Sequence, residues 1–412
     1  MNRPTTAPGP YLPGSTRPRL PATRPPMHDW RASTRIWWRE VDRVLLGLIV
    51  TLMAMGTIAV AAASPASAQR LSTAAVELDS MFFFWAHIRW QLVGLVVMVG
   101  TSMVAQENAR RGAIVLCAVM MGALVLVPLI GAEVNGARRW INLGMRFQPS
   151  EFLKPAFAVT LAWVLSWRLR DPTMPVVAIS AVLFAIIAAL LMVQPNLGDT
   201  ILFAACWFAL VLLTGMPWKH IGAMIGGGLG GLGLAYAFYD NARHRIDSFI
   251  GGGTAYDQVD LASRTLEAGG WLGSGLWLGV RKMSLPEAHT DYIFSVIGEE
   301  FGLLTCAVIV AVYLAIVLRV LSRLVEEEDL FRILAATGLV TLFGGQAFIN
   351  ILVNLQLFPS KGMTLPLVSY GGSSTIAVCF GIGLLLALTR RNPYLQRDRV
   401  DFRNMITGGK PQ

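Results

Sequence analysis

Charge is scarce in this sequence. Only 14% of its 412 residues are Asp, Glu, Lys or Arg, against about 25% in ordinary soluble domains. That shortage excludes a soluble globular chain of normal composition. With 54% hydrophobic residues and a mean hydropathy of +0.56, the chain is solvated mostly by lipid. Cysteine is scarce too. Cys117, Cys206, Cys306 and Cys379 fall singly inside apolar runs, without metal-ligand spacing, and read as buried apolar thiols. Ionisable side chains are nearly missing from the middles of those runs. The nearest are Glu299 and Glu300, about two helical turns below Asp291. Their plain reading is favourable charge near a helix N-terminus, paired with a loop arginine. An ion-coupled transporter usually places such groups near the midplane, so chemistry at the membrane surface fits the charge map better than transport through it.

Long apolar runs are plentiful. Segments long enough to cross a bilayer, about 20 residues, recur near 44–63, 90–106, 112–131, 152–167, 174–193, 200–216, 220–238, 293–318, 332–353 and 374–389. The expected fold is an all-α integral membrane protein of ten transmembrane helices over 44–390, with no room for a soluble domain. Residues 1–43 hold eight of the 21 prolines and eight arginines, a composition expected to stay disordered. Trp37, Trp38, Arg39 and Arg43 read as an interfacial anchor. Residues 391–412 form a basic tail. Ala66-Ser67-Ala68 imitates a signal-peptidase site, but the long preceding tail and full-length apolar run argue that the first span is retained. Placing both termini in the cytoplasm puts 22 of the 34 Lys and Arg on that side, as the positive-inside rule requires.

Ten of the other cations cluster in three outer loops, 132–154, 239–292 and 354–373, the second being a large loop between helices 7 and 8. They read either as solvated loop charge or as a surface that holds a phosphate-bearing partner. The first loop suggests a turn at Asn135-Gly136, an interfacial Trp140 and a Ser150 cap. A short fourth loop, Gln194 to Asp199, reads as a tight outer turn. In the large loop, a glycine-rich run is followed by Arg281-Lys282 and then Pro286-Glu-Ala-His-Thr-Asp291 at the start of an apolar helix. The last loop mixes glycine, proline and hydroxyls within an apolar region, which suggests irregular backbone lining a cavity. If the cations hold a lipid-linked pyrophosphate, its departure needs charge neutralisation by Arg, Lys or a divalent metal such as Mg. An attacking sugar hydroxyl needs a base, and Asp291 is the candidate, although Asp at a helix start is commonly an N-cap. Glu287, His289 and Asp291 could alternatively bind a metal.

Four ordered motifs carry a resemblance. Asn135-Gly-Ala-Arg-Arg-Trp with Gln148-Pro-Ser-Glu, Gln194-Pro-Asn-Leu-Gly, Leu285-Pro-Glu-Ala-His-Thr-Asp-Tyr-Ile-Phe and Gly362-Met-Thr-Leu-Pro-Leu-Val-Ser-Tyr-Gly-Gly-Ser-Ser resemble the SEDS family (shape, elongation, division, sporulation). The likeness covers about 44–390, and Pro359-Ser-Lys-Gly is closer to the division members than to the elongation members. The resemblance implies a peptidoglycan glycosyltransferase. Such an enzyme polymerises lipid II on the outer face of the bacterial cytoplasmic membrane, at the septum, and releases undecaprenyl pyrophosphate. It implies Asp291 as the essential aspartate. By motif, Arg139, Trp140, Glu151, Lys154, Arg245, Lys361, Ser369 and Ser373 join Arg281, Lys282, Glu287 and His289 as substrate-binding candidates. Expected partners are lipid II, a class b penicillin-binding transpeptidase, other division proteins and the membrane, with no nucleic acid. A lipid II flippase and a non-catalytic division scaffold are the alternatives. Asn196 stands where the family often carries Asp.

Overall fold

A computed structural model of the chain describes residues 30–73, 76–134, 137–142, 144, 146–215, 218–240, 243, 246–247, 249, 251, 258–359 and 362–390. Residues 1–40 and 393–412 form one unit and residues 41–392 another. In the first unit, part of the expected disordered tail is helical: α1 (Trp30–Glu40). Arg31, Arg35 and Arg39 recur on it at four-residue spacing along one side, and the Trp37 and Trp38 rings lie 6.0 Å apart.

The second unit is built of apolar helices: α2 (Arg43–Leu71), α3 (Phe82–Met103), α4 (Gln106–Ile130), α5 (Pro149–Ser166), α6 (Val176–Val193), α7 (Leu197–Leu213), α8 (Trp218–Phe238), α10 (Ile293–Leu324), α11 (Leu330–Asn354) and α12 (Ser373–Thr389), with the short polar α9 (Gln258–Ala268) before α10. Every apolar run of the sequence falls on one of them. Among the described residues, seven helices are long and apolar enough to cross a membrane: α2, α3, α4, α6, α8, α10 and α11. α7 and α12 are shorter, and α5 carries Glu151 and Lys154 in its first turns. α5 is the core helix, buried along most of its length against α4, α11 and α12. Small residues let α12 approach α3 closely. A Cβ at Gly94 would lie 2.7 Å from Cys379 Sγ, and one at Gly383 2.7 Å from the Met98 carbonyl, the usual device for helix contact in lipid.

The helical class expected from the sequence holds, with one small addition. The loop between α4 and α5 pairs with itself as a small antiparallel sheet, β1 (Ala132–Val134), β2 (Ala137–Asn142) and β3 (Arg146–Phe147), in that spatial order. Backbone polar groups need partners wherever water is sparse, and a hairpin supplies them locally. The expected turn at Asn135-Gly136 lies outside the described residues.

Prolines inside helices leave carbonyls without their usual donor four residues on; of the three such prolines, Pro65, Pro128 and Pro155, side chains from the loops fill the gap at the first two. Pro65 in α2 strands the Ala61 carbonyl, which accepts the Trp277 indole N–H at 3.1 Å. Pro128 in α4 strands the Leu124 carbonyl, which accepts the Gln194 amide at 2.8 Å. Gln194 and Trp277 thus belong to the helix scaffold.

Helix α10 is broken at Gly302, whose φ of +81° and ψ of 170° are not helical. The glycine-rich segment before the Asp291 loop splices into the break. The Ser274 and Gly275 amides donate to the Glu299 and Glu300 carbonyls at 2.8 and 3.0 Å, while the Leu303 and Leu304 amides donate to the Gly270 and Trp271 carbonyls at 3.0 and 3.3 Å. Each main-chain group that the break exposes at these positions is satisfied again. Gly273 and Gly302 are required here, because both have positive φ and a Cβ on either would overlap the opposing backbone.

Candidate active site

The Asp291 loop is held by its main chain. Residues 285–292 run from a single 3-10 turn (Arg281–Met283) to α10. The carbonyls of three successive residues are each bonded to the segment 350–370. The His289 carbonyl accepts the Tyr370 amide at 3.0 Å. The Thr290 carbonyl accepts the Ser369 hydroxyl at 2.6 Å, and that hydroxyl in turn accepts the Leu365 amide at 2.8 Å. The Asp291 carbonyl accepts the side-chain amides of Asn350 at 2.8 Å and Asn354 at 3.2 Å. Asp291 itself is half-buried, and a Cβ at Gly362 would lie 3.4 Å from its Oδ2. The missing side chain at Gly362 leaves room beside the carboxylate.

His289 is buried, with its ring centroid 4.1 Å from that of Phe83 and 5.4 Å from that of Tyr370. Burial pushes its pKa down to about 4, so the ring is neutral near pH 7 and, with Phe83 and Tyr370, forms an apolar wall to the loop. Glu287 is exposed and accepts the Thr290 hydroxyl at 2.8 Å. His289 and Glu287 therefore do not converge with Asp291 in the manner of metal ligands. Among the described residues, no group of three or more His, Cys, Asp and Glu is placed to hold a metal.

Two lysines expected on the outer surface are buried instead. Lys154 sits in α5 between Glu151 Oε1 at 2.7 Å and Asp199 Oδ1 at 3.1 Å, and also donates to Gln346 Oε1 at 3.0 Å. Ser150 and Asn196 donate to Asp199 Oδ2 at 2.8 and 2.7 Å, and Ser374 donates to Glu151 Oε2 at 3.0 Å. Asn196 also caps α7 through the Asp199 amide. An amide suits this position, because a third carboxylate would unbalance the cluster. A buried ammonium persists only if paired and hydrogen-bonded, and here it is both. The interior is accordingly richer in charge than the apolar runs suggested. A small groove of about 40 Å³ runs from Glu151, Lys154 and Gln346 along Leu342, Phe343 and Ile382.

Lys282 is buried as well and pairs with Glu300, donating also to the Ala62 carbonyl at 3.1 Å. Glu299 accepts the Arg281 and Lys282 amides at 2.7 and 2.9 Å, and Glu300 accepts the amides of Trp277 and Gly279. The two glutamates therefore fasten residues 277–282 to α10, and the partner is a lysine and main chain rather than a loop arginine. The Arg281 side chain is exposed. Arg139 donates to the carbonyls of Gln194, at 3.2 Å, and Pro195, tying the sheet to the fourth loop. Trp140 is half-buried on β2, and Ser373 is buried at the start of α12. Arg245 and Lys361 lie outside the described residues.

Sequence reasoning overlooked Gln346, Asn350 and Asn354, three amides at four-residue spacing in the apolar α11. That spacing was the available signal.

Residues 42–394 match the FtsW/RodA/SpoVE family model, described as cell cycle protein. The chain belongs to this family. It is 36% identical over 366 residues to a Caulobacter vibrioides protein named probable peptidoglycan glycosyltransferase FtsW, covering 88% of this chain and 93% of that one. It is 34% identical to a protein of the same name from Methylococcus capsulatus, covering 84% and 89%. Among solved structures, it resembles a chain described under "Structural coordination of polymerization and crosslinking by a peptidoglycan synthase complex", with a TM-score of 0.68, 26% identity and coverage of 88% and 99%. It also resembles the rod shape determining protein RodA of Thermus thermophilus, with a TM-score of 0.63, 26% identity and coverage of 88% and 99%.

Proposed function

We propose that this chain is the peptidoglycan glycosyltransferase of septal wall synthesis, polymerising lipid II at the outer face of the bacterial cytoplasmic membrane. Ten helices, α2 to α8 and α10 to α12, would span the bilayer with both termini in the cytoplasm. Asp291 would take the proton from the acceptor sugar hydroxyl as that oxygen attacks the donor anomeric carbon, and the bond to undecaprenyl pyrophosphate breaks as the glycosidic bond forms. The leaving pyrophosphate needs cations. With Lys154 and Lys282 engaged by carboxylates, that task falls to exposed or outer-loop groups such as Arg281, Arg245 and Lys361. A class b penicillin-binding transpeptidase would crosslink the product, in keeping with the synthase complex among the structural relatives.

The observation that carries this reading is the three-carbonyl attachment of residues 289–291, which presents a half-buried carboxylate beside a glycine. The test is polymerisation of labelled lipid II by the purified chain with its transpeptidase partner. Asp291→Asn should lose polymer formation by at least about 100-fold while keeping its thermal stability and partner binding. Wild-type polymer from that variant would remove Asp291 from the chemistry. One observation favours a second reading, lipid II translocation: the buried Glu151–Lys154–Asp199 cluster at the head of a groove. Headgroup movement across liposome membranes that survives Asp291→Asn would support it.

A further inference from the structure

We infer that Gln346, Asn350 and Asn354 are positioning residues that set where the Asp291 carboxylate stands. This rests on the assignment of Asp291 as the base. The three side chains follow one another at i, i+4 and i+8 on α11 and are 3%, 2% and 0% exposed, so they form one buried polar row along the helix. Asn350 and Asn354 meet the Asp291 main chain, and Gln346 meets the ion cluster of α5.

Gln346 accepts from Lys154 and donates to the Thr364 carbonyl at 3.0 Å. Asn350 spends its amide hydrogens on two carbonyls, Met363 at 2.7 Å and Asp291 at 2.8 Å. Asn354 donates to the Asp291 carbonyl and to the Asn350 carbonyl at 3.2 and 2.9 Å, while its oxygen accepts the Ser295 amide and hydroxyl at 3.2 and 2.8 Å. The row therefore touches the ion cluster of α5, the last loop and the Asp291 loop in turn.

The chemistry requires amides. A buried donor pair facing two carbonyls is met by an uncharged NH2 group. A carboxylate there would face carbonyl oxygens with no proton to give, and an apolar side chain would leave both carbonyls short of a partner. A row that served only to hold helices together would not need to end on the main chain of the reacting residue. Because two of the three amides converge on that one carbonyl, truncating either lets the carboxylate drift, and a displacement of about 1 Å can cost about 100-fold in rate.

The experiment is steady-state lipid II polymerisation by the full chain with its transpeptidase partner, comparing wild type, Asn350→Ala, Asn350→Asp, Ser295→Ala and Asp291→Asn, with thermal unfolding in detergent measured alongside. Asn350→Ala and Asn350→Asp should lower kcat by about 10- to 100-fold with the lipid II KM changed less than about threefold. Ser295→Ala, which removes one of the two bonds to the Asn354 oxygen, should lower kcat several-fold without loss of the fold. The double variant Asn350→Ala with Asp291→Asn should be no slower than Asp291→Asn alone. Wild-type kcat in folded Asn350 variants, with Asp291→Asn inactive, overturns the positioning role and leaves the base assignment standing. An active Asp291→Asn overturns the base assignment itself. If the Asn350 variants fail to fold, an unchanged kcat in Ser295→Ala overturns the inference, and a lower kcat at unchanged KM upholds it.

Discussion

The Asp291 main chain is held from behind by the uncharged amides of Asn350 and Asn354, while Lys154 and Lys282 are paired with carboxylates. That division of labour is visible residue by residue. His289, two positions before Asp291, is packed between Phe83 and Tyr370, and its burial lowers its pKa to about 4. A free imidazole protonates near 6.5, so below that pH the unfolded chain takes up a proton that the folded chain refuses. The His289 contribution is thus fully present above about 6.5 and is lost as pH falls toward about 4, amounting to about 3 kcal/mol at the acid end. Thermal unfolding in detergent from pH 7.5 to 4 should show His289→Phe losing less stability on acidification than wild type. Equal slopes would mean that the ring is charged in the folded state. Lys154 and Lys282 show why residue-scale reading of the sequence went astray. Lys154 stands at the start of an apolar run and Lys282 within a loop, places where a cation reads as surface charge, but each pairs with a carboxylate on another element, Asp199 for the first, beside its own Glu151, and Glu300 for the second.

At the scale of elements, the helices were legible because lipid imposes one rule on composition: a spanning segment must be apolar and must satisfy its own backbone. Every apolar run therefore coincides with a helix. What escaped was whatever depends on contacts between elements. Strands of two, three and six residues leave no periodic signature, and the break in α10 is invisible without the segment that fills it. The glycine-rich run at 269–275 is plain in the sequence, and the structure uses it for close main-chain approach to the break. Gly302→Ala and Gly273→Ala should each destabilise the chain by about 2 kcal/mol or more, since both force a Cβ onto opposing backbone at positive φ. Gly226→Ala, with nothing within 4 Å of the added carbon, should leave the unfolding temperature within a degree or two. Similar losses at all three positions would show that the splice does not hold.

Over the whole molecule, the proposed orientation can be read from outside. The four native cysteines are buried, so single introduced cysteines can report sidedness against a quiet background. Glu133→Cys on β1 should react with an impermeant maleimide in intact spheroplasts, whereas Asp171→Cys and Glu328→Cys should react only after permeabilisation. The reverse pattern would invert the topology and move Asp291 away from the outer face. The splice has a further consequence at this scale. The chain leaves it after Gly275 and returns to it at Glu299, so the polypeptide bearing Asp291 is a ring, closed by main-chain bonds rather than by a covalent link. The conformational entropy of ordering that ring is lost when the membrane domain folds, and under the proposed function the Asp291 carboxylate would meet each incoming sugar already immobilised.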